Sequence, residues 1–142
     1  MGEDRLQKFG EIKASETKVK NPLFVTPDEK ISKTELLMLR KKIGGFPVVK
    51  SQKDHQLIGI ITQRDIRLAR FVMSLESPNT TVKDLMTSEP FVVKSNEDIK
   101  NILKLMFKKN FQRLPVVNEN GNLIGFIIQN QILRKLFEFM NN

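Results

Sequence analysis

The sequence predicts an α+β fold, α/β-sandwich-like in its layering and written twice along one chain. Three observations predict it. A shift of 68 positions aligns Pro22 with Pro90, Val25 with Val93, Glu29 with Glu97, Leu37-Met38 with Leu105-Met106 and Pro47-Val48-Val49 with Pro115-Val116-Val117, with no gap. The shift then falls to 66, because KSQKDHQ at 50–56 is two residues longer than NENGN at 118–122, and Leu-Ile-Gly matches again beyond it. A length change confined to a turn marks two copies of one fold. Within each copy, short apolar runs alternate with segments of helical periodicity.

Each element follows in order. Residues 1–13, MGEDRLQKFGEIK, stand outside the repeat as an extension, either a short helix or a tail. An apolar strand opens each copy (Leu23 to Val25, Phe91 to Val93) and leads through TPDE or KSNED into a helix, with Asp28 or Asn96 as the expected N-cap. Ile99, Ile102, Leu103, Met106 and Phe107 then fall at the i, i+3, i+4, i+7 and i+8 positions of one face. The pair Gly44-Gly45, or Gln112-Arg113, is expected to end that helix, and FPVVK or LPVVN begins a strand whose proline suits its start or edge. A polar turn returns the chain into LIGIIT or LIGFII. In the last helix Ile132, Leu133, Leu136, Phe137 and Met140 make one face. The order strand, helix, strand, strand, helix therefore occupies 14–73 and again 82–140, with SLESPNTT at 74–81 as connector. Repeats of this size bury too little apolar surface to stand alone, so they are expected to fold against each other. Leu37, Leu105, Phe139 and Val72 lie off the main stripes, which calls for a second packing partner, in the other repeat or in another subunit.

Composition removes several functions. The chain has 39% apolar and 28% charged residues, and no run approaches the roughly 20 apolar residues of a membrane span. With an N-terminus too polar for a signal peptide, a soluble cytoplasmic protein with no membrane partner is expected. No cysteine is present and His55 is the one histidine, so thiolate chemistry, cysteine-ligated zinc and histidine clusters are excluded. No acid, base and nucleophile set stands out, so catalytic residues, metal ligands and a required cofactor are all expected to be absent. The net charge of +8 favours anionic partners without choosing among nucleotide, nucleic acid and acidic protein.

Chemistry concentrates where the copies disagree. Copy one reads LIGIITQRDI and copy two LIGFIIQNQI, so Thr62 and Asp65 face Ile128 and Gln131. Thr62-x-x-Asp65 reads as a capping box with Asp in place of Glu. It also follows Gly59, where a missing side chain permits close approach, and opens a helix whose N–H groups attract anions. A hydroxyl there suits a phosphate oxygen, and a carboxylate one turn in can accept from both hydroxyls of a ribose. That combination suits a nucleotide.

VKDLMTSEPFVV at 82–93, the two PVV strands and GIITQRD at 59–65 resemble a tandem pair of cystathionine-β-synthase (CBS) domains, a Bateman module. IGGFPVV followed by GIITQRD is most similar in wording to the CBS pair of IMP dehydrogenases, although 142 residues cannot hold that enzyme's barrel. The resemblance implies two β-α-β-β-α repeats packed pseudo-symmetrically through their sheets. It implies a regulatory sensor, not an enzyme, that binds AMP, ADP, ATP or S-adenosylmethionine in the cleft between repeats. Carried over position by position, it places the base near Lys18 and Leu23, then Ile43 and Gly44, all in copy one. Asp65 is to hold the ribose, Thr62 the phosphate end, and Arg113 reaches the phosphate, with Arg64 and Lys20 as further basic candidates. The second slot, from Met86, Phe91, Phe111, Gln112, Ile128 and Gln131, is expected to be weak, altered or empty. A homodimer and a regulated protein of unknown identity are the implied partners. Two alternatives remain: nucleic-acid binding through basic helices carrying Lys100, Lys104 and Lys108, and a ligand-free dimerisation scaffold in which Thr62 and Asp65 only cap a helix.

Overall fold

The computed structural model describes residues 2–18, 20–73 and 77–141, so Ser74 to Glu76 of the expected connector lie outside the described residues. Helices α1 (Gly2–Gly10) and α2 (Ala14–Thr17) precede α3 (Ile31–Lys41), β1 (Gly45–Val49), β2 (Leu57–Thr62) and α4 (Gln63–Met73). Then come α5 (Val82–Leu85), β3 (Thr87–Ser88), β4 (Val93–Lys94), α6 (Ile99–Lys109), β5 (Arg113–Val117), β6 (Leu123–Ile128) and α7 (Gln129–Met140). The two sheets run in the order β1-β2-β3 and β4-β5-β6.

The packing units are not the sequence repeats. One unit holds residues 23–90 with 121–123, and the other holds 1–22, 91–120 and 124–142. The segment in front of each first strand has changed places. Ala14 N donates to Glu97 O (2.8 Å), Ser15 N to Ser95 O (3.0 Å) and Ile99 N to Ile12 O (2.8 Å), so α1 and α2 belong with copy two. In the same way Val82 N donates to Glu29 O (2.9 Å) and Ile31 N to Thr80 O (3.0 Å), so α5 and β3 belong with copy one. Ala14 and Val82, at equivalent positions, are fully buried anchors.

This exchange explains why the expected caps are not used. The Asp28 carboxylate accepts from Thr26 Oγ1 (2.7 Å), and α3 starts three residues later behind Lys30, without a side-chain cap. The first N–H of α3 and of α6 is satisfied instead by a backbone carbonyl of the exchanged segment, Thr80 or Ile12. Asn96 is likewise displaced, since α6 begins behind Asp98, whose carboxylate pairs with Lys13. That pairing raises the Lys13 pKa above its ordinary value, chiefly through the hydrogen bond to Asp98.

The glycine pair does not end α3 either. Lys42 (φ 55°) and Asn110 (φ 57°) take the left-handed position, and the next N–H, from Ile43 or Phe111, returns to Met38 O or Met106 O. Gly45 is thereby free to begin β1, and the Gly44 carbonyl to accept from Gln63 N (2.9 Å).

Each unit has its own core. Val25, Ile31, Met38, Phe46, Val48, Ile61, Ile66 and Val82 cluster in the copy-one unit; Phe9, Ala14, Val93, Ile99, Ile102, Met106, Leu114, Val116, Ile127 and Ile132 cluster in the copy-two unit. The off-stripe Phe139 finds its partner in the N-terminal extension. Its ring lies 5.7 Å from that of Phe9, and its carbonyl, among the last of α7, accepts from Arg5 (2.8 Å). The predicted stripes are split, however. Phe107, Leu133, Phe137 and Met140 stay exposed, as do Leu39, Phe71 and Val72.

Candidate functional site

In the copy-one unit, several elements end at one place. The antiparallel register sets Gly45 opposite Thr62, so the start of β1 meets the end of β2 and the first turn of α4. Val25 pairs in parallel with Val48, which puts Leu23, two residues earlier, toward the Gly45 end of β1. Ile43 and Gly44 enter β1 from the same end, Ile43 half-buried against the core and Leu23 exposed. Six of the expected residues, Leu23, Ile43, Gly44, Thr62, Arg64 and Asp65, therefore belong to this unit. Lys18 and Arg113 do not.

The capping box is formed. Thr62 N (2.9 Å) and Thr62 Oγ1 (3.0 Å) both donate to Asp65 Oδ2, and Asp65 N donates back to Thr62 Oγ1 (3.2 Å). Gln63 N is spent on Gly44 O, so two of the first three N–H groups of α4 are already bonded. Because Thr62 gives its one hydroxyl proton to Asp65, it has none to give an anion in this state. The carboxylate is different. Among the described residues its other oxygen, Oδ1, receives only a long contact from Thr87 Oγ1 (3.4 Å), which leaves lone pairs for a ligand hydroxyl.

Thr87 was missed by sequence reasoning because it stands 22 residues downstream, in the opening motif of copy two. The exchange brings it here. β3 pairs with β2, Ile60 opposite Thr87, and a Cβ on Gly59 would stand 2.9 Å from both Met86 Sδ and the Thr87 carbonyl oxygen. The space at Gly59 is thus taken by the chain's own segment. Met86, expected by repeat symmetry in the second slot, packs instead against Gly59 in the copy-one unit.

Lys18 is the reciprocal correction. Its Nζ donates to Ile124 O (3.1 Å), and a Cβ on Gly125 would meet its Cδ at 2.4 Å, so it lines copy two as Met86 lines copy one. There the equivalents of the box form no cap. Ile128 offers α7 no side-chain cap, and Gln131 Oε1 is buried with no hydrogen-bond partner among the described residues. Phe91 and Phe111 pair ring to ring at 5.4 Å beneath the Lys109 ammonium (5.1 Å to Phe91), while Gln112 O holds Gln129 N (2.9 Å). Of the basic candidates, Arg64 and Lys20 are exposed. Arg113 is half-buried with no carboxylate partner among the described residues, and burial lowers its pKa.

A separate cavity of about 190 Å³ lies among Ile31, Ser32, Glu35, Arg70, Ser77 and Thr80. It is smaller than the roughly 300 Å³ at which ligand pockets usually begin. Its charges are also mutually satisfied, since Arg70 makes a two-pronged pair with Glu35 that raises the arginine's pKa. Among the described residues no cluster of carboxylates and histidine suits a metal ion, and no helix is long and apolar enough to cross a membrane.

With this geometry in view, the CBS-domain family model matches residues 14–71 and 82–138, and the chain belongs to the CBS-domain family as a tandem pair. Among curated relatives, inosine-5'-monophosphate dehydrogenases of Halalkalibacterium halodurans and Bacillus subtilis are 34% and 32% identical over 99% of this chain. The chain spans only 27% and 28% of their lengths. Solved structures agree on the fold. A putative acetoin utilization protein (AcuB) from Vibrio cholerae superposes with a TM-score of 0.82 at 23% identity, covering 92% of this chain and 96% of its own. CBSX2 in complex with AMP gives 0.77 at 24% identity over 90% and 98% of the two chains. The CBS domain pair of protein MJ0100, in complex with 5'-methylthioadenosine and S-adenosyl-L-methionine, gives 0.77 at 21% identity, over 89% and 97%.

Proposed function

We propose that this CBS pair is a non-catalytic sensor that binds one adenosine-containing ligand per chain, AMP, ADP, ATP or S-adenosylmethionine, at the Thr62–Asp65 end of the copy-one unit. The observation that carries the reading is Asp65. One carboxylate oxygen is committed to the helix cap while the other faces Thr87 with capacity to spare, the arrangement a ribose hydroxyl needs. Leu23 and Ile43 offer apolar surface for a base at the same end, where Gly44 leads into β1. Arg64, exposed in the first turn of α4, is the basic candidate at the same end for an anionic part of the ligand. The complexes formed by CBSX2 and by the MJ0100 pair support the ligand class, because both contain adenosine chemistry.

The stripes of exposed apolar residues on α3, α4 and α7 suit pairing into a homodimer, as large exposed apolar patches generally mark interfaces. The dimer would regulate a partner protein.

A ligand of the native state raises its unfolding temperature. In a thermal-shift screen of AMP, ADP, ATP, S-adenosylmethionine, NADH and guanine nucleotides, at least one adenosine compound is expected to stabilise the protein above the guanine nucleotides. No shift with any adenosine compound, in a sample confirmed folded, would refute the proposal.

A further inference from the structure

We propose that Asn120 is a site of spontaneous covalent modification, converting to aspartate and isoaspartate in the turn between β5 and β6. It is the one asparagine in the sequence followed by glycine. Asn120 is exposed, Gly121 has φ +81°, and nothing lies within 4 Å of where a Gly121 Cβ would stand. The attacking group is the Gly121 backbone nitrogen, which lies in the turn outside both flanking strands. With no side chain on residue 121, nothing hinders its approach to the Asn120 side-chain carbonyl. The Gly121 nitrogen forms a bond to that carbon, the Asn120 amide nitrogen departs as ammonia with the proton the Gly121 nitrogen gives up, and a five-membered succinimide closes. Water then opens the ring at either carbonyl. One product is aspartate; the other is isoaspartate, in which the chain runs through the side-chain methylene.

The site matters because of what the turn holds. Leu57 N donates to Gly121 O (3.0 Å), Leu123 N donates to His55 O (2.9 Å), and Gln56 bridges Asn122. An extra backbone methylene between residues 120 and 121 moves these groups out of register, and either product adds a negative charge.

The test uses the 142-residue chain, aged in warm, mildly alkaline buffer and digested with trypsin to give the 114–134 peptide. This peptide carries Asn118, Asn122 and Asn130 as internal controls. Fragment masses are expected to place the amide-to-acid shift on residue 120 first and fastest. Labelling by an isoaspartate-specific carboxyl methyltransferase is expected in wild type and not in Asn120→Ser. In the isoaspartyl fraction, amide exchange at Leu57 and Leu123 is expected to rise. Conversion at residue 120 no faster than at the other three asparagines overturns the site. Unchanged exchange at Leu57 and Leu123 in the modified fraction overturns its consequence.

Discussion

The two oxygens of Asp65 divide the labour of the site. Oδ2 closes the helix cap with Thr62, and among the described residues Oδ1 meets only the Thr87 hydroxyl at 3.4 Å. Thr87 is therefore the residue whose removal separates the two roles. Thr87→Val leaves all three capping bonds in place but deprives Oδ1 of the donor that orients it. We expect adenosine-ligand affinity to fall by at most about fivefold, the ceiling set by one neutral-donor hydrogen bond of about 1 kcal/mol since this contact is long, with little change in unfolding temperature. An unchanged affinity by calorimetry would remove Thr87 from the site. The Thr62–Asp65 pair was legible because copy two lacks it, and a mismatch inside a repeat isolates chemistry from packing. Thr87 was not legible, since nothing local ties it to a carboxylate 22 residues earlier. Lys18 was misplaced for the same reason: sequence order assigns it to copy one, and the backbone delivers it to Ile124 and Gly125.

At the scale of elements, the repeat grammar was readable while its partners were not. Apolar periodicity and turn chemistry placed the helices and the β1-β2 and β5-β6 hairpins, because those signals are local. Both opening segments carry the same pattern, so no local signal says which copy each will cover. Helix starts were misjudged as a consequence. Thr80 and Ile12 bring backbone carbonyls to α3 and α6, and this tertiary acceptor replaces the side-chain caps that Asp28 and Asn96 advertise. Gly59 records the exchange most sharply, because its missing Cβ accommodates Met86 and the Thr87 carbonyl. Met86 can swing aside, whereas a strand carbonyl cannot. Gly59→Ala is expected to destabilise the protein by about 1–3 kcal/mol in chemical denaturation, the usual cost of overpacking a tight contact. A loss below that range would mean that β3 is loosely held and Thr87 only incidentally close to Asp65.

At the scale of the whole molecule, the proposed homodimer rests on apolar side chains that neither core uses. Phe71 is 91% exposed and Phe137 is 66% exposed, unusual for large aromatic side chains at helical positions. Sedimentation of wild type is expected to show a dimer, and Phe71→Glu with Phe137→Glu to yield a folded monomer. A monomeric wild type would instead leave those faces to a different protein. In the proposed function only copy one binds ligand, through Asp65. Isothermal titration of AMP into wild type and Asp65→Asn tests this most directly, since asparagine keeps a capping oxygen but loses the charge that strengthens the ribose contact. We predict one AMP per chain for wild type and affinity at least about tenfold weaker for the variant, the loss expected for a charge-assisted hydrogen bond. Two equivalent sites per chain, or equal affinity in the two proteins, would contradict it.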